Sequence, residues 1–282
     1  MKNNASLPVY GKNLYTSGMS EKKITNFHTH TMLCNHASGM PADYTACAQK
    51  DGCAALGFSD HCPYPEGSGD YWPEIRMKQN EVSLYMESVR QAAQTVDFPV
   101  YAGFECEWDK AYESWYKDGL LGTFGADYIA FGPHWVTLGS SHMYAMDISD
   151  APTLHKYIDQ TIEGIRSGIY AFIAHPDLFM GRWKEWDSEA ESCLTALLDA
   201  AIDCNLPLEV NGLGMSRTCN ETKRGVRYQY PYREFWQMAA ERGAKVICNA
   251  DAHAPEDVIA AARNARKFAE DLGITPVESP VA

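Results

Sequence analysis

The chain reads Asn26-Phe27-His28-Thr29-His30-Thr31 directly after Ile24-Thr25, as the end of a short β-strand would. Side chains two positions apart in a strand point to the same face, so His28 and His30 project together. Two neighbouring imidazoles supply half of the ligands of a typical metal site. A chain with nine histidines contains an H-x-H by chance roughly 0.3 times, so the pair depends on the rest of the sequence for its meaning.

Six further short apolar segments follow this first strand. Each is separated from the next by a segment with helical periodicity or helix-capping signals. Short strands that alternate with helices are typical of a parallel sheet with crossover helices, in which the C-terminal ends of the strands hold the functional site. The sequence therefore predicts an α/β fold with seven strands. The six segments are 54–59, 98–105, 127–132, 170–174, 206–211 and 244–249.

Histidines and carboxylates stand at the C-terminal ends of these predicted strands. Seven of the nine histidines lie there, and only His142 and His155 do not. A single histidine at a strand end is usually structural, but seven at one edge of one sheet, with two carboxylates, favour a metal site. The candidate ligands are His28, His30, His36, His61, Glu105, His134, His175, Asp251 and His253.

Residues beside these candidate ligands allow two interpretations. Asp60, Asp177 and Asn249 either orient imidazoles as hydrogen-bond acceptors or cap strand ends. Cys62 and Cys106 directly follow candidate ligands, so strand alternation places them on the opposite face, where we expect them to pack. The segment 62–73 is rich in Pro, Gly, Tyr and Trp, and a long loop at the end of a strand often carries function.

The overall composition limits the kinds of partner. A net charge of −13 argues against nucleic acid and anionic membranes as partners, because both bind basic patches.

The nine cysteines form no C-x-x-C motif. The N-terminal residues contain no apolar run that fits a signal peptide, and no stretch approaches the length of a membrane span. We therefore expect reduced thiols and a cytoplasmic location. A polar arm over residues 1–22 precedes one predicted domain over residues 23–282.

The order of the motifs resembles the polymerase-and-histidinol-phosphatase (PHP) superfamily over about residues 24 to 275. H-T-H-T, S-D-H, G-F-E, G-P-H, A-H-P-D and D-A-H occur in the order of that family's metal ligands. The resemblance implies a distorted (β/α)7 TIM-like barrel with the metal site at the C-terminal ends of the strands. S-D-H-C-P, E-V-N-G-L-G and N-A-D-A-H-A-P-E-D-V resemble the histidinol-phosphate phosphatase branch most. Asn249-Ala250 departs from the family, which usually has Gly-Ser there.

Carried over position by position, the resemblance implies three divalent metal ions, for which zinc, manganese and iron are all suited to the donor types. Glu105 would bridge the first two ions. Three divalent ions less the charges of Glu105 and Asp251 leave about +4, which favours a phosphate over a neutral amide or ester. The first ion would be held by His28, His30, Glu105 and Asp251, the second by Glu105, His134 and His175, and the third by His36, His61 and His253.

The implied reaction is the hydrolysis of L-histidinol phosphate to L-histidinol and phosphate, a late step of histidine biosynthesis. A metal-bound hydroxide would be the nucleophile, with Glu105 and Asp251 holding the metals. Arg217, which follows E-V-N-G-L-G, is the first candidate for a catalytic, phosphate-binding arginine. Arg182, after A-H-P-D, is the second. The same predicted loops contain Lys223, Arg224 and Arg227, which are either further candidates or solvated charges.

Three alternatives stay open at this point. The same site could act on another small phosphate ester or on a nucleotide. An amidohydrolase-like hydrolase also uses an H-x-H and a late aspartate, but it bridges its metals with a modified lysine on strand four, and residues 127–132 contain no lysine. A non-enzymatic metal-binding protein is disfavoured because no ligand position of the PHP pattern is lost.

Overall fold

Strands and helices alternate along the chain in the computed structural model, which describes residues 23–70 and 72–281. The N-terminal arm predicted over residues 1–22 lies outside the described residues. The strands are β1 (Ile24–Asn26), β2 (Cys53–His61), β3 (Val100–Cys106), β4 (Tyr128–Phe131), β5 (Trp135–Leu138), β6 (Ser141–Tyr144), β7 (Leu208–Asn211), β8 (Asn220–Thr222), β9 (Gly225–Arg227) and β10 (Val246–Asn249). The α-helices are α1 (Pro41–Lys50), α2 (Val82–Ala93), α3 (Ala151–Arg166), α4 (Ser188–Asp203), α5 (Gly212–Ser216), α6 (Arg233–Glu241) and α7 (Asp257–Glu270).

Seven parallel segments close into a ring. Strands β1, β2, β3 and β4 pair in that order, and β10 pairs with β7. Ile173 joins these two sheets because it bridges Phe131 on one side and Leu208 on the other. A bridge between Thr29 and Ala252 closes the ring. The predicted α/β barrel is confirmed.

The fifth strand of the barrel is shorter than predicted. The sequence predicts a strand over residues 170–174, but Ile173 alone forms bridges to both neighbours. The backbone leaves the extended conformation at His175, where φ is 29°. Gly168, with φ of 70°, turns the chain just before the segment, so few residues are left to extend. This short segment still places His175 at the same edge of the ring as the other strand ends.

The helices pack against the ring through one apolar face. In α2 the buried residues Val82, Tyr85, Met86 and Val89 recur every three or four positions, which is the spacing of one helix face. Full burial of a large apolar side chain contributes about 1.5–3 kcal/mol relative to exposure. Pro41 is the first residue of α1, where its missing N–H removes no helical hydrogen bond.

The interior of the ring is apolar at the N-terminal ends of the strands. Phe27, Tyr128, Phe172 and Ile247 form a small buried cluster there, and the C-terminal residues Val277 and Val281 pack against it. The Val277 N–H donates to the carbonyl of the first residue of β10 at 2.7 Å. The C-terminal segment therefore covers the end of the barrel opposite to the edge that carries the histidines.

Two segments between the barrel strands contain regular structure at the histidine-bearing edge. Residues 136–150 include most of the antiparallel hairpin of β5 and β6, which turns at Gly139 with φ of 68°. Residues 212–230 include α5 and the hairpin of β8 and β9. Between β3 and β4 the chain forms a π-helix at Trp115–Thr123. Within residues 23–70 and 72–281, no helix combines the length and apolar character needed to cross a membrane.

Candidate metal centre

Glu105 lies at the centre of a group of imidazoles at the C-terminal ends of the strands. The side chain is buried, and the register of β2 and β3 places Glu105 opposite His61. A carboxylate that faces five imidazoles from four parts of the chain has the position that a bridging metal ligand requires. The distances to its oxygens are 3.0 Å from His175 Nε2, 3.1 Å from His61 Nδ1, 3.3 Å from His134 Nε2, 3.5 Å from His28 Nε2 and 3.6 Å from His30 Nε2.

Asp251 forms a second group with the histidine pair after β1. Its Oδ1 lies 3.1 Å from His30 Nε2 and 3.5 Å from His28 Nε2. His253 and His36 extend the cluster outward, and their Nε2 atoms lie 3.0 Å apart. The structure thus brings all nine predicted side chains into one cluster.

Six of the seven histidines direct Nε2 into the cluster. Four of them have an acceptor beside the other ring nitrogen, so in the neutral ring Nδ1 carries the proton and Nε2 presents a lone pair. The facing Nε2 atoms of His36 and His253 repel each other unless a cation or a proton lies between them. Metal-binding histidines typically donate their other N–H in this way, so the donor set fits a divalent metal. The acceptors are Glu209 Oε1 at 2.8 Å from His28, the Cys34 carbonyl at 2.9 Å from His36, Glu107 Oε1 at 3.0 Å from His134 and the Asp251 carbonyl at 3.0 Å from His253.

Glu209 is a buried residue of the site that the sequence analysis missed. It is fully buried, and besides the His28 ring it accepts the His175 backbone N–H at 3.0 Å. The side-chain amides of Asn211 and Asn249 donate to it at 2.8 and 2.9 Å. Four donors therefore converge on one carboxylate. One lies just after β1, and the other three lie at the ends of three other strands. The signal in the sequence was the alternation L-E-V-N, which places Glu209 and Asn211 on one face of β7.

Glu107 is a second glutamate that the sequence analysis missed. It is buried, and its Oε1 also accepts from Arg76 Nη2 at 2.8 Å. Tyr64 donates its hydroxyl to Oε2 at 2.9 Å. Burial alone raises the pKa of Glu107, but Arg76 and His134 lower it well below its usual range. The side chain is therefore an ionised, buried carboxylate that accepts a hydrogen bond from the His134 ring nitrogen that faces away from the cluster.

The three polar neighbours of the ligands differ in what they contact. Asp60 Oδ1 lies 3.5 Å from His30 Nδ1, too far for a good hydrogen bond, while its Oδ2 accepts the Thr31 backbone N–H at 3.2 Å. Asp177 accepts the Trp236 indole N–H at 3.1 Å, so it fixes the helix α6 rather than an imidazole. Asn249 reaches the imidazoles only through the Glu209 carboxylate to which it donates.

The charge of the cluster is set by its carboxylates. Burial raises the pKa of Glu105, but His134 and His28 lower it well below its usual range. Burial likewise raises the pKa of Asp251, which His28 and His30 lower. Although burial lowers the pKa of His134, Glu105 and Glu107 raise it to about 9. Buried carboxylates that stay ionised and draw protons onto an imidazole also attract divalent cations.

Two candidate ligands have a left-handed backbone. φ is 29° at His175 and 53° at Asp251, a region that non-glycine residues seldom occupy. Such conformations cost about 1–3 kcal/mol and persist where the surroundings fix them. The bond from the His175 N–H to Glu209 is one such constraint.

A cavity of about 400 Å³ opens onto the cluster. Its floor contains imidazoles together with Glu105 and Asp251, and its walls include aromatic and leucine side chains. The residues that line it are His36, His61, Trp72, Glu105, His134, Tyr144, His175, Leu178, Leu213, Arg217, Tyr230, Asp251 and His253.

Arg217 is the one arginine among the described residues that line this cavity. Its guanidinium lies 5.9 Å from the centre of the Tyr230 ring. Arg182 is exposed and is not among the residues that line the cavity, because a buried 3₁₀ turn separates it from the strand end. Arg227 donates to backbone carbonyls, including that of Met180 at 2.8 Å, which gives it a structural role.

A comparison of the sequence with models of protein families agrees with the metal site described above. The model of the PHP domain matches residues 26–212, more than half of the chain. The chain belongs to the PHP domain family.

Within this family the chain is similar to histidinol phosphatases. It is 28% identical over 257 residues to a protein of Deinococcus radiodurans named probable histidinol-phosphatase, covering 89% of this chain and 94% of that protein. Its structure is similar to that of histidinol phosphate phosphatase from Lactococcus lactis subsp. lactis, complexed with zinc, L-histidinol and phosphate. The TM-score is 0.68 at 14% identity, covering 90% of this chain and 95% of that one. At this identity the structural similarity shows a shared fold.

Proposed function

We propose that this chain is a metal-dependent phosphomonoesterase that hydrolyses L-histidinol phosphate to L-histidinol and phosphate, a late step of histidine biosynthesis. The observation that carries the proposal is the convergence of seven histidines and two carboxylates on a cavity that also contains Arg217. The similarity to the Deinococcus radiodurans protein supports it. The zinc, L-histidinol and phosphate bound to the Lactococcus lactis enzyme support it as well.

The nine clustered side chains are proposed to hold three divalent ions of zinc, manganese or iron. The group His28, His30 and Asp251 has its donor atoms within 4.8 Å of one another, which suits the first ion with Glu105 as a bridge. Glu105 and His134 share another such group with His61, and we propose that they hold the second ion together with His175. His61 and His253 share a third group with His30, and we propose that they hold the third ion together with His36.

The residues of the chain would prepare the phosphate for attack. When bound, the metals would supply an acidified water and polarise the phosphate oxygens. Glu105 and Asp251 cancel part of the metal charge and leave about +4, which attracts a phosphate dianion. Arg217 would donate two parallel hydrogen bonds to the phosphate and fix its orientation. The buried imidazoles would exclude bulk water and so strengthen these interactions.

A second candidate function is hydrolysis of another small phosphate ester or of a nucleotide. The cluster and Arg217 both line the cavity and would bind the phosphate, whichever alcohol is attached to it. The aromatic and leucine side chains of the cavity would contact that alcohol. The choice of substrate therefore depends on the walls of the cavity.

Phosphate release by the metal-reconstituted protein tests the proposal. L-histidinol phosphate is compared with a panel of other phosphomonoesters and nucleotides under the same conditions. We expect a strong preference for histidinol phosphate. Release from other esters without that preference would favour the second candidate, and no release from any ester by protein with bound metal would refute the phosphatase.

A further inference from the structure

The cavity has an aromatic wall beside the metal cluster. Trp72 and Tyr144 both line the cavity and are half-buried, so part of each ring is free to meet a ligand. Their ring centroids lie 5.9 Å apart. Trp135 packs edge-on behind Trp72 at 4.6 Å and lies 5.4 Å from Tyr144. The hairpin of β5 and β6 thus supports the ring that the loop after β2 contributes.

The loop that carries Trp72 is held to the same carboxylate that contacts a candidate ligand. The loop that carries Trp72 also carries Arg76, which is buried and pairs with Glu107 at 2.8 Å. Arg76 also donates to the Cys62 carbonyl at 3.1 Å, at the end of β2. Since Glu107 accepts from the His134 ring, the loop, the strand end and the imidazole form one bonded unit. The centroids of the Trp72 and His134 rings lie 6.4 Å apart, so a substrate group that contacts Trp72 would lie next to the proposed metal site.

The charges around the cavity leave few partners for a cationic alcohol. Among the described residues, Glu105 and Asp251 are the carboxylates that line it, and both face the imidazoles. An ammonium group on the substrate would therefore meet aromatic faces instead of a free carboxylate. A cation over a tryptophan face is attracted by the negative charge of the ring face, and a planar ring gains from stacking there as well.

We propose that Trp72, supported by Tyr144, is the specificity-determining surface for the alcohol part of the substrate. It would select phosphate monoesters whose alcohol carries a planar ring or an ammonium group. This inference rests on the proposed phosphatase function, but it concerns a different part of the cavity from the metal cluster. It predicts that the ring of Trp72, and not its bulk alone, is needed.

The test compares Trp72→Leu, which keeps apolar volume, with Trp72→Phe, which keeps a ring. Trp186→Leu is the matched control, since Trp186 stacks on Tyr232 and does not line the cavity. The substrates are histidinol phosphate, phenyl phosphate, phosphoethanolamine and glycerol 3-phosphate. We expect Trp72→Leu to lower kcat/KM about tenfold for the first three and less than about twofold for glycerol 3-phosphate. Trp72→Phe should recover most of the loss.

A uniform loss on all four substrates, or no loss on any, would overturn the inference. A wild-type protein that hydrolyses phenyl phosphate but not histidinol phosphate would contradict the proposed substrate. The ratio of kcat/KM for phenyl phosphate to that for glycerol 3-phosphate would still test the role of Trp72. Calorimetric binding of L-histidinol to the metal-loaded protein gives a readout without turnover. Weaker binding in Trp72→Leu, with unchanged metal content, is expected, and equal binding would count against the wall.

Discussion

Glu209→Gln should weaken both the fold and the metal centre. Each oxygen of the Glu209 carboxylate accepts two hydrogen bonds. Oε1 accepts from His28 Nδ1 and Asn249 Nδ2, and Oε2 accepts from the His175 backbone and Asn211 Nδ2. A glutamine offers one oxygen and one NH2 group. In either orientation the NH2 group, itself a donor, replaces an acceptor, so two buried donors lose their partner.

The size of the effect follows from these contacts. A buried donor without a partner costs about 1–3 kcal/mol, so two of them cost roughly 2–6 kcal/mol of unfolding free energy. If the NH2 group faces His28, the imidazole can relieve the conflict by moving its proton from Nδ1 to Nε2. That tautomer removes the lone pair from the metal cluster, and loss of such an orienting partner typically lowers metal affinity by about 10–100-fold.

Two measurements on one variant therefore check the role of Glu209. Urea unfolding of the metal-free protein gives the change in unfolding free energy, and competition with a chromophoric chelator gives the zinc affinity. Glu221→Gln is the control, since it makes the same chemical change at an exposed position. If Glu209→Gln matches this control in both measurements, Glu209 does not orient His28.

Three further changes test other parts of the structure. Glu105→Gln should remove metal and phosphatase activity together because five imidazoles share this carboxylate, and a variant that keeps its metal by mass spectrometry would contradict the bridge. Arg217→Met should lower kcat/KM about 100-fold at unchanged metal content, whereas the exposed Arg182→Met should change it less than about twofold, and equal losses in the two would refute the assignment of the phosphate to Arg217. Val277→Asp should lower the unfolding free energy by about 1–2 kcal/mol because it places a carboxylate against the apolar end of the barrel, and an unchanged thermal midpoint would exclude that packing.

Strand alternation made much of the barrel predictable. The short apolar runs set seven positions in the ring, and period-two alternation separated His61 from Cys62 and Glu105 from Cys106. Both cysteines are fully buried in the main hydrophobic core, as alternation requires. The fifth strand was overestimated because an apolar run does not reveal that the next residue, His175, leaves the extended conformation.

The supporting residues of the site were not predictable in the same way. Glu209 and Glu107 each appear in the sequence as one acidic residue in or just after a strand, and their role depends on which imidazoles the closed ring brings beside them. The choice between Arg217 and Arg227 depended on the fold of one loop region. There the β8–β9 hairpin directs Arg227 onto backbone carbonyls, and α5 brings Arg217 to the cavity. A pattern of charges along the chain does not contain that information.

The left-handed backbone at His175 and Asp251 has a consequence for directed evolution. A library of variants selected for heat resistance alone would not reward a catalytic cluster, and glycine accepts these φ values without steric cost. Survivors of such a selection should accumulate substitutions at these two positions early, so thermostable descendants of this chain would need to be screened for retained zinc before they are used as catalysts.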